Sequence, residues 1–277
     1  MASVEPLPDA RARSREAAGI LAIASYNIHS GVGLDRRCSA LRIASVLKEL
    51  DCDIYALQEV DNQPGDHEES MQLERFARET NMTAVPGLRI VRRTGEYGNA
   101  ILTRLPVLSV RRHDLSHSWF EPRGAIDVQV EVDGQPVRVI ATHLGLARAE
   151  RRQQWRALMA ALAEQPPDLP TILLGDMNEW YRGALTMKEA HRVFGEPPAP
   201  VGWPSFAPCL ALTRIWVRPR AALKSVRAHR SDLSRKASDH LPVRAEIEIG
   251  KLRQHQVIPA QAGIQVLDPD GLPRARE

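Results

Sequence analysis

Residues 171–178 read Thr-Ile-Leu-Leu-Gly-Asp-Met-Asn. The apolar run Thr171 to Leu174 is of the kind that forms a short buried strand. Gly175 permits a tight backbone turn, and Asp176 and Asn178 follow two positions apart, which puts both side chains on one face if the chain stays extended. Asp176 offers an anion that can ligate a cation or take a proton from water. Asn178 offers a neutral amide that can donate to an oxyanion. Gly, Asp and Asn are also the favoured turn residues, so the octet taken alone reads first as a turn and only second as a site.

An apolar strand ending on a polar residue recurs outward from the octet. Residues 20–26 form a strand that ends at Asn27, residues 53–57 a strand that stops at Gln58-Glu59, and residues 137–142 a strand that ends at His143. Asp239-His240 immediately precedes a last strand over residues 243–249. Ile43, Val46, Leu47 and Leu50 are spaced as one face of a helix, with Ser39 as its cap. A shorter helix over 71–79 buries Leu73 and Phe76. Residues 97–103 and 107–113 read as consecutive strands. Ile126, Val128, Val130 and Val132 alternate with Asp127, Gln129 and Glu131, and Asp133-Gly134 turns that strand into the next. Trp155, Leu158, Met159 and Leu162 form the apolar side of a helix, opposite Arg151, Arg152 and Arg156. After Asn178 the periodicity weakens through a proline-rich loop at 195–208, then returns as strands at 212–217 and 223–229.

Antiparallel hairpins mixed with helical crossovers point to sheets packed together and covered by helices, one α/β domain over residues 20–249. A loose arm over 1–19 precedes it, and a disordered tail over 250–277 follows. Within that tail, Val257 to Gln265 resembles peptides translated from repeated bacterial genomic elements and is given no catalytic role.

Composition narrows the function. The chain has 277 residues, 43% hydrophobic and 26% charged, as in ordinary globular proteins. No apolar run approaches a membrane span, and the polar first residues do not read as a secretory signal. Cys38, Cys52 and Cys209 are scattered, suggesting neither a disulfide framework nor a zinc site, so a reducing cytoplasm is the expected location. A net charge of +3 does not mark a general nucleic-acid binder. The basic run from Arg214 to Lys236 is either a solvated face or a positive rim that draws a phosphate in.

Asn27, Glu59, His143, Asp176, Asn178 and Asp239-His240 thus collect at strand ends, where α/β folds place ligands. Carboxylates, amides and imidazoles without cysteine favour Mg²⁺ or Mn²⁺ over zinc. The strings SYNIHSGVG, ALQEVD, YGNAILTRLPV, ATHLGL, LLGDMNEW and SDHLPV, in this order over residues 20–249, resemble the endonuclease/exonuclease/phosphatase superfamily, in particular its compact bacterial metal-dependent hydrolases. The resemblance implies a deoxyribonuclease-like four-layer α/β sandwich and a hydrolase of phosphate esters, more specifically a phosphodiesterase. It implies Glu59 as the main metal ligand, helped by Asn27, with Asp239 completing the acidic cluster. Asp176 would position and deprotonate the attacking water, Asn178 would hold a phosphoryl oxygen, and His240 would contact the phosphate. His143 is suited to phosphate contact or to leaving-group protonation. Asn99 and Arg123 resemble secondary phosphate-facing positions. One departure stands out: where the family usually carries an aspartate before Arg-Ile, orienting the histidine of SDH, this chain has Thr213. His240 thereby loses a charged partner, and reduced activity or a shifted pH optimum is expected.

The substrate is left open between a phospholipid head group, a small phosphodiester and DNA or RNA. Trp180, Trp203 and Phe206 are candidates for an apolar lip. A catalytically weakened phosphate-binding scaffold is the alternative from another class. No obligate protein partner is evident, and a monomer is expected.

Overall fold

In the computed structural model, which describes residues 18–62, 71–87, 90–92, 95–117, 119–181 and 183–253, period-two alternation gives each central strand two different neighbours. Strand β1 (Ile20–Asn27) sends Leu21 and Ile23 into a core between two sheets, and Ala22, Ala24 and Tyr26 into a helical layer. Strand β2 (Ile54–Asn62) repeats this, with Ile54 and Ala56 inward and Tyr55 and Leu57 outward. The outward face is covered by helices α1 (Ala40–Leu50) and α2 (Gln72–Thr80). Ser39 caps α1 as expected, its hydroxyl accepting from Arg42 N.

The second sheet is built the same way. Strand β9 (Thr171–Asp176) packs Ile172 and Leu174 against the first sheet. Leu173 on its other side meets Trp155 and Leu158 of α3 (Arg148–Ala163), and Met187 and Phe194 of α4 (Leu185–Phe194). Helix, sheet, sheet, helix is the four-layer order that the family resemblance implies.

In the first sheet the order is β11 (Leu223–Ala228), β12 (Val243–Glu248), β1, β2, β5 (Gly95–Thr103) and β3 (Thr83–Pro86), with β4 (Ile90–Arg92) also on β5. In the second it is β10 (Thr213–Arg218), β9, β8 (Gln135–His143), β7 (Gly124–Val132) and β6 (Val107–Asp114). Consecutive strands β5 and β6 therefore lie in different sheets. Among the described residues, β1 with β2 and β8 with β9 pair parallel, each through a helical crossover, and the other pairs are antiparallel. Parallel pairing brings the C-terminal ends of two strands side by side. Asn27 thus lies level with Gln58, and His143 level with Asp176.

Three expectations need correction, and one buried ion pair had no counterpart in the sequence pattern. Strand β2 does not stop at Gln58 but continues to Asn62. Asp127, one of the polar residues that alternate along β7, is buried: the fully buried Arg138 donates Nε to Asp127 Oδ1 at 2.9 Å and Nη2 to Asp127 Oδ2 at 2.5 Å, and it also reaches Ala161 O and Leu162 O at the end of α3. Arg151, expected on the polar side of α3, is also buried, its guanidinium paired with Glu179 at 3.2 Å. The ordered domain does not end at 249 either. After α5 (Ser234–Ala237) and β12, a short helix α6 (Ile249–Arg253) packs Ile249 and Leu252 into the core between the sheets. The expected N-terminal arm up to residue 17 and the tail from residue 254 lie outside the described residues.

Candidate active site

The octet folds differently from its simplest reading and still delivers both side chains. Gly175 is not a turn residue. It sits within β9 with φ 150°, and a Cβ there would run into the Thr142 carbonyl oxygen on the neighbouring strand. The strand ends at Asp176, and Asn178 adopts a left-handed backbone with φ 48°. Its N–H donates to Asp176 Oδ1 at 3.0 Å, so the two residues meet through an Asx turn rather than through strand alternation.

Asp176 is fully buried at the centre of the site. Its Oδ2 accepts from Asn27 Nδ2 at 3.1 Å and lies 3.7 Å from His240 Nε2 and 3.8 Å from His143 Nε2. Asn27 Nδ2 also donates to Glu59 Oε1 at 2.9 Å, which links the two carboxylates across the two sheets. Glu59 reaches inward because β2 bulges: the register with β5 slips between Leu57 and Val60, and Glu59 has φ 59°. Bulges of this kind re-aim a side chain at the rim of a sheet. Burial pushes the Asp176 carboxyl up, but the adjacent His240 and His143 rings and the hydrogen bonds from Asn178 N and Asn27 outweigh it, and the group lies below the usual carboxylate range. His143 is pushed down to about 3 by burial and by the Arg123 charge. At neutral pH its influence on Asp176 is therefore that of a dipole, not of a full charge.

His143 has a hydrogen-bond donor close to each ring nitrogen, Arg123 Nη1 at 3.0 Å from Nδ1 and Asn178 Nδ2 at 3.1 Å from Nε2. Asn178 Nδ2 donates to Leu144 O at 2.8 Å, which fixes the orientation of the amide. The loop before β12 brings His240 close. Ser238 Oγ donates to Asn27 O at 2.9 Å, and His240 N donates to Ser238 Oγ at 3.2 Å. Thr213, level with Asp176 in the β9–β10 register, makes no hydrogen bond to His240.

Asp239 stands at the edge of this group: its Oδ2 lies 4.0 Å from His240 Nε2 and accepts from Trp203 Nε1 at 3.2 Å, and its Oδ1 lies 3.7 Å from His29 Nδ1. Among the described residues, no group of three or more acidic, histidine or cysteine side chains is arranged to hold a metal. The hard donors at the inner end of the first sheet are the Glu59 carboxylate and the Asn27 amide oxygen, the latter accepting from His29 N at 3.0 Å while the amide nitrogen faces Glu59. They suit an ion that takes one or two carboxylates and keeps much of its water, as Mg²⁺ does. Asn99 donates its Nδ2 to Gly124 O at 3.0 Å, so its donor ties down the strand that follows Arg123. The basic run also divides. Arg214 turns inward onto the Ala211 and Thr213 carbonyls, while Arg235 and Lys236 stay exposed on α5, three or four residues before Asp239.

A cavity of about 310 Å³ opens beside the group, lined by Glu59, Tyr97, Asn99, Asp114, Arg123 and His143. Tyr97, hydrogen-bonded to Glu59, and His29 escaped the sequence reading. Both lie inside the strings that carry the resemblance, Tyr97 two residues before Asn99 and His29 two residues after Asn27. Trp180 and Phe206 are exposed, with Trp180 stacked near the Arg151 guanidinium, whereas Trp203 is half-buried, with its ring 6.4 Å from His240. Trp119 and Tyr181 are the further exposed aromatic residues on neighbouring loops.

Residues 24–240 match the model of the Endonuclease/Exonuclease/phosphatase family. The chain is 28% identical over 248 residues to YbhP of Escherichia coli K12, itself uncharacterised, covering 82% of this chain and 96% of YbhP. Among solved structures, an endonuclease/exonuclease/phosphatase from Beutenbergia cavernae superposes with a TM-score of 0.66 at 21% identity, covering 83% of this chain and 71% of that one. The D. rerio protein TDP2, solved with a single-strand DNA product, superposes with a TM-score of 0.61 at 20% identity, covering 82% and 98%.

Proposed function

Because the chain belongs to the endonuclease/exonuclease/phosphatase family, we propose that it is a divalent-metal-dependent phosphodiesterase that uses Asp176 to direct water onto phosphorus. The observation that carries this is the environment of Asp176: a buried, ionised carboxylate surrounded by amide and imidazole groups rather than by a neutralising guanidinium or ammonium. An anion kept this way needs a polar partner, and a water molecule poised for attack is one.

Glu59 would hold Mg²⁺ or Mn²⁺, helped by Asn27, whose amide nitrogen faces Glu59 in this structure. When bound, such an ion neutralises phosphate charge and stabilises the departing oxygen. The chain's own groups do the rest. Asp176 orients the water and takes its proton. Asn178 Nδ2 and His240 offer hydrogen bonds to phosphoryl oxygens, whose charge grows as phosphorus becomes five-coordinate. Asn27 keeps Glu59 and Asp176 in register, because one amide nitrogen binds both.

The cavity beside His143 takes one small polar group of a phosphodiester, with Tyr97 as its flat wall and Asp114 and Arg123 as its charged contacts. This favours a small-molecule or head-group diester. A nucleic acid is the second reading, favoured by the exposed rings of Trp119, Trp180, Tyr181 and Phe206, on which bases could stack. A panel of nucleic acids, phospholipids and sugar phosphates with Mg²⁺ or Mn²⁺, run against Asp176→Ala, decides between them. Metal-stimulated cleavage of any diester that is lost in the variant supports the proposal. Binding without turnover across the panel would instead support the phosphate-binding scaffold.

A further inference from the structure

His143 is in an unusual position for a histidine at a catalytic centre: both ring nitrogens face hydrogen-bond donors. Arg123 Nη1 stands 3.0 Å from Nδ1, and Asn178 Nδ2 stands 3.1 Å from Nε2. A neutral imidazole has one lone pair in its plane, so only one of these donors finds an acceptor. Three charges decide which. A guanidinium is always a donor, and its bond to a lone pair is charge-assisted, whereas the Asn178 amide is neutral. The Asp176 carboxylate, 3.8 Å from Nε2, attracts a proton to that nitrogen and not to Nδ1. His240, on the far side of Asp176, adds no acceptor for Nδ1. Glu121 accepts from Arg123 Nη2 at 3.4 Å, which keeps the guanidinium turned so that Nη1 meets the ring.

We infer that Arg123 is a positioning residue that locks His143 as the neutral tautomer carrying its proton on Nε2, so that His143 acts in the reaction as a fixed hydrogen-bond donor and not as the acid that protonates the leaving group. Of the two roles that the sequence left open for His143, this selects phosphate contact. The depressed His143 basicity fits the same arrangement, since the ring is buried beside a fixed cation. The 3.1 Å approach of Nε2–H to the Asn178 amide then sets two donors side by side. A phosphoryl oxygen between them would accept from both. That last step rests on the phosphodiesterase reading; the tautomer does not.

The test is the ¹⁵N–¹H long-range correlation spectrum of the full chain, labelled at its nine histidines, with His143 assigned by its loss in His143→Gln. At neutral pH the wild type is expected to show His143 as the pure Nε2–H tautomer. Arg123→Met is expected to release it into a mixture of tautomers and to lower kcat about 10- to 100-fold, as loss of a residue orienting a site ligand commonly does. Arg123→Lys should restore part of the Nε2–H population. A wild-type spectrum showing Nδ1–H, a mixture or an imidazolium overturns the inference, and so does an unchanged His143 pattern in Arg123→Met. The wild-type spectrum decides even if that variant fails to fold. Because it needs no turnover, it decides separately from any failure to find a substrate.

Discussion

Two buried aspartates in one sheet, Asp127 on β7 and Asp176 on β9, show how the same side chain serves structure in one place and chemistry in another. Asp127 is gripped by the Arg138 guanidinium, with His113 Nε2 at 3.1 Å, and Arg138 uses its other N–H groups on the end of α3. Every strong acceptor there has a cation or a helix terminus against it, and nothing is left to bind. Asp176 is as deeply buried but meets amides at hydrogen-bonding distance and imidazoles at 3.7 and 3.8 Å. Its neighbours hold it without neutralising it. What separates the two is the completeness of the pairing, not the depth of burial.

The largest expected effect that sharpens this contrast is on Asp176. Asp176→Asn should lower turnover by about 10²- to 10⁴-fold, the usual weight of a positioned acid–base group. It should lower the melting temperature much less than the loss of Arg138 does. Arg138→Met should do the reverse. Removing one partner of a buried ion pair costs about 3–5 kcal/mol of stability, while activity per folded molecule is retained. Thermal melts and steady-state kinetics on the two variants check both, and a large loss of stability in Asp176→Asn would erase the distinction.

A smaller effect concerns pH. His143 stays neutral in the folded chain down to about 3, far below its ordinary value. Between pH 6.5 and that value the unfolded chain binds a proton here that the folded chain does not, so stability falls as pH falls through this window. The depressed Asp176 acts lower: its contribution is present above the ordinary carboxylate pKa and is lost only as pH falls through its reduced folded value. His143→Gln should therefore flatten the acid destabilisation, by about 2 kcal/mol at pH 5, counted at about 1.4 kcal/mol for each pH unit. Chemical denaturation at pH 7 and pH 5 measures it, and an identical pH dependence in both proteins would contradict it.

The smallest effect is at Thr213. Thr213→Asp places a carboxylate level with Asp176, where it can orient His240. We expect turnover to rise by less than about tenfold, within the range of a single oriented general acid–base contact. Unchanged or lower turnover in a folded variant would show that His240 needs no such partner.

Much of this was legible in the chain. The alternation of Leu21, Ile23 against Ala22, Ala24 and the strand-end placement of Asn27, His143 and Asp176 carry the layers and the site directly. What was hidden depended on partners distant in sequence. Asp127 reads only as one of the alternating polar residues because Arg138, on the next strand, is what buries it. Arg151 reads as surface for the same reason, its partner Glu179 lying beyond β9. The bulge that aims Glu59 inward is a register slip between strands far apart in the chain. The helix Leu185–Phe194 was passed over although Met187, Ala190 and Phe194 have helical spacing, because the proline-rich segment beside it dominated that stretch.

Hydrolysis of bis(4-nitrophenyl) phosphate tests the central claim most directly. The assay compares the wild type with Asp176→Asn, in Mg²⁺ or Mn²⁺ and then in excess chelator. The account predicts metal-stimulated release of nitrophenol by the wild type, abolished by chelator and reduced at least about 100-fold in the variant. Full turnover in chelator, or an Asp176→Asn protein as active as the wild type, would contradict it.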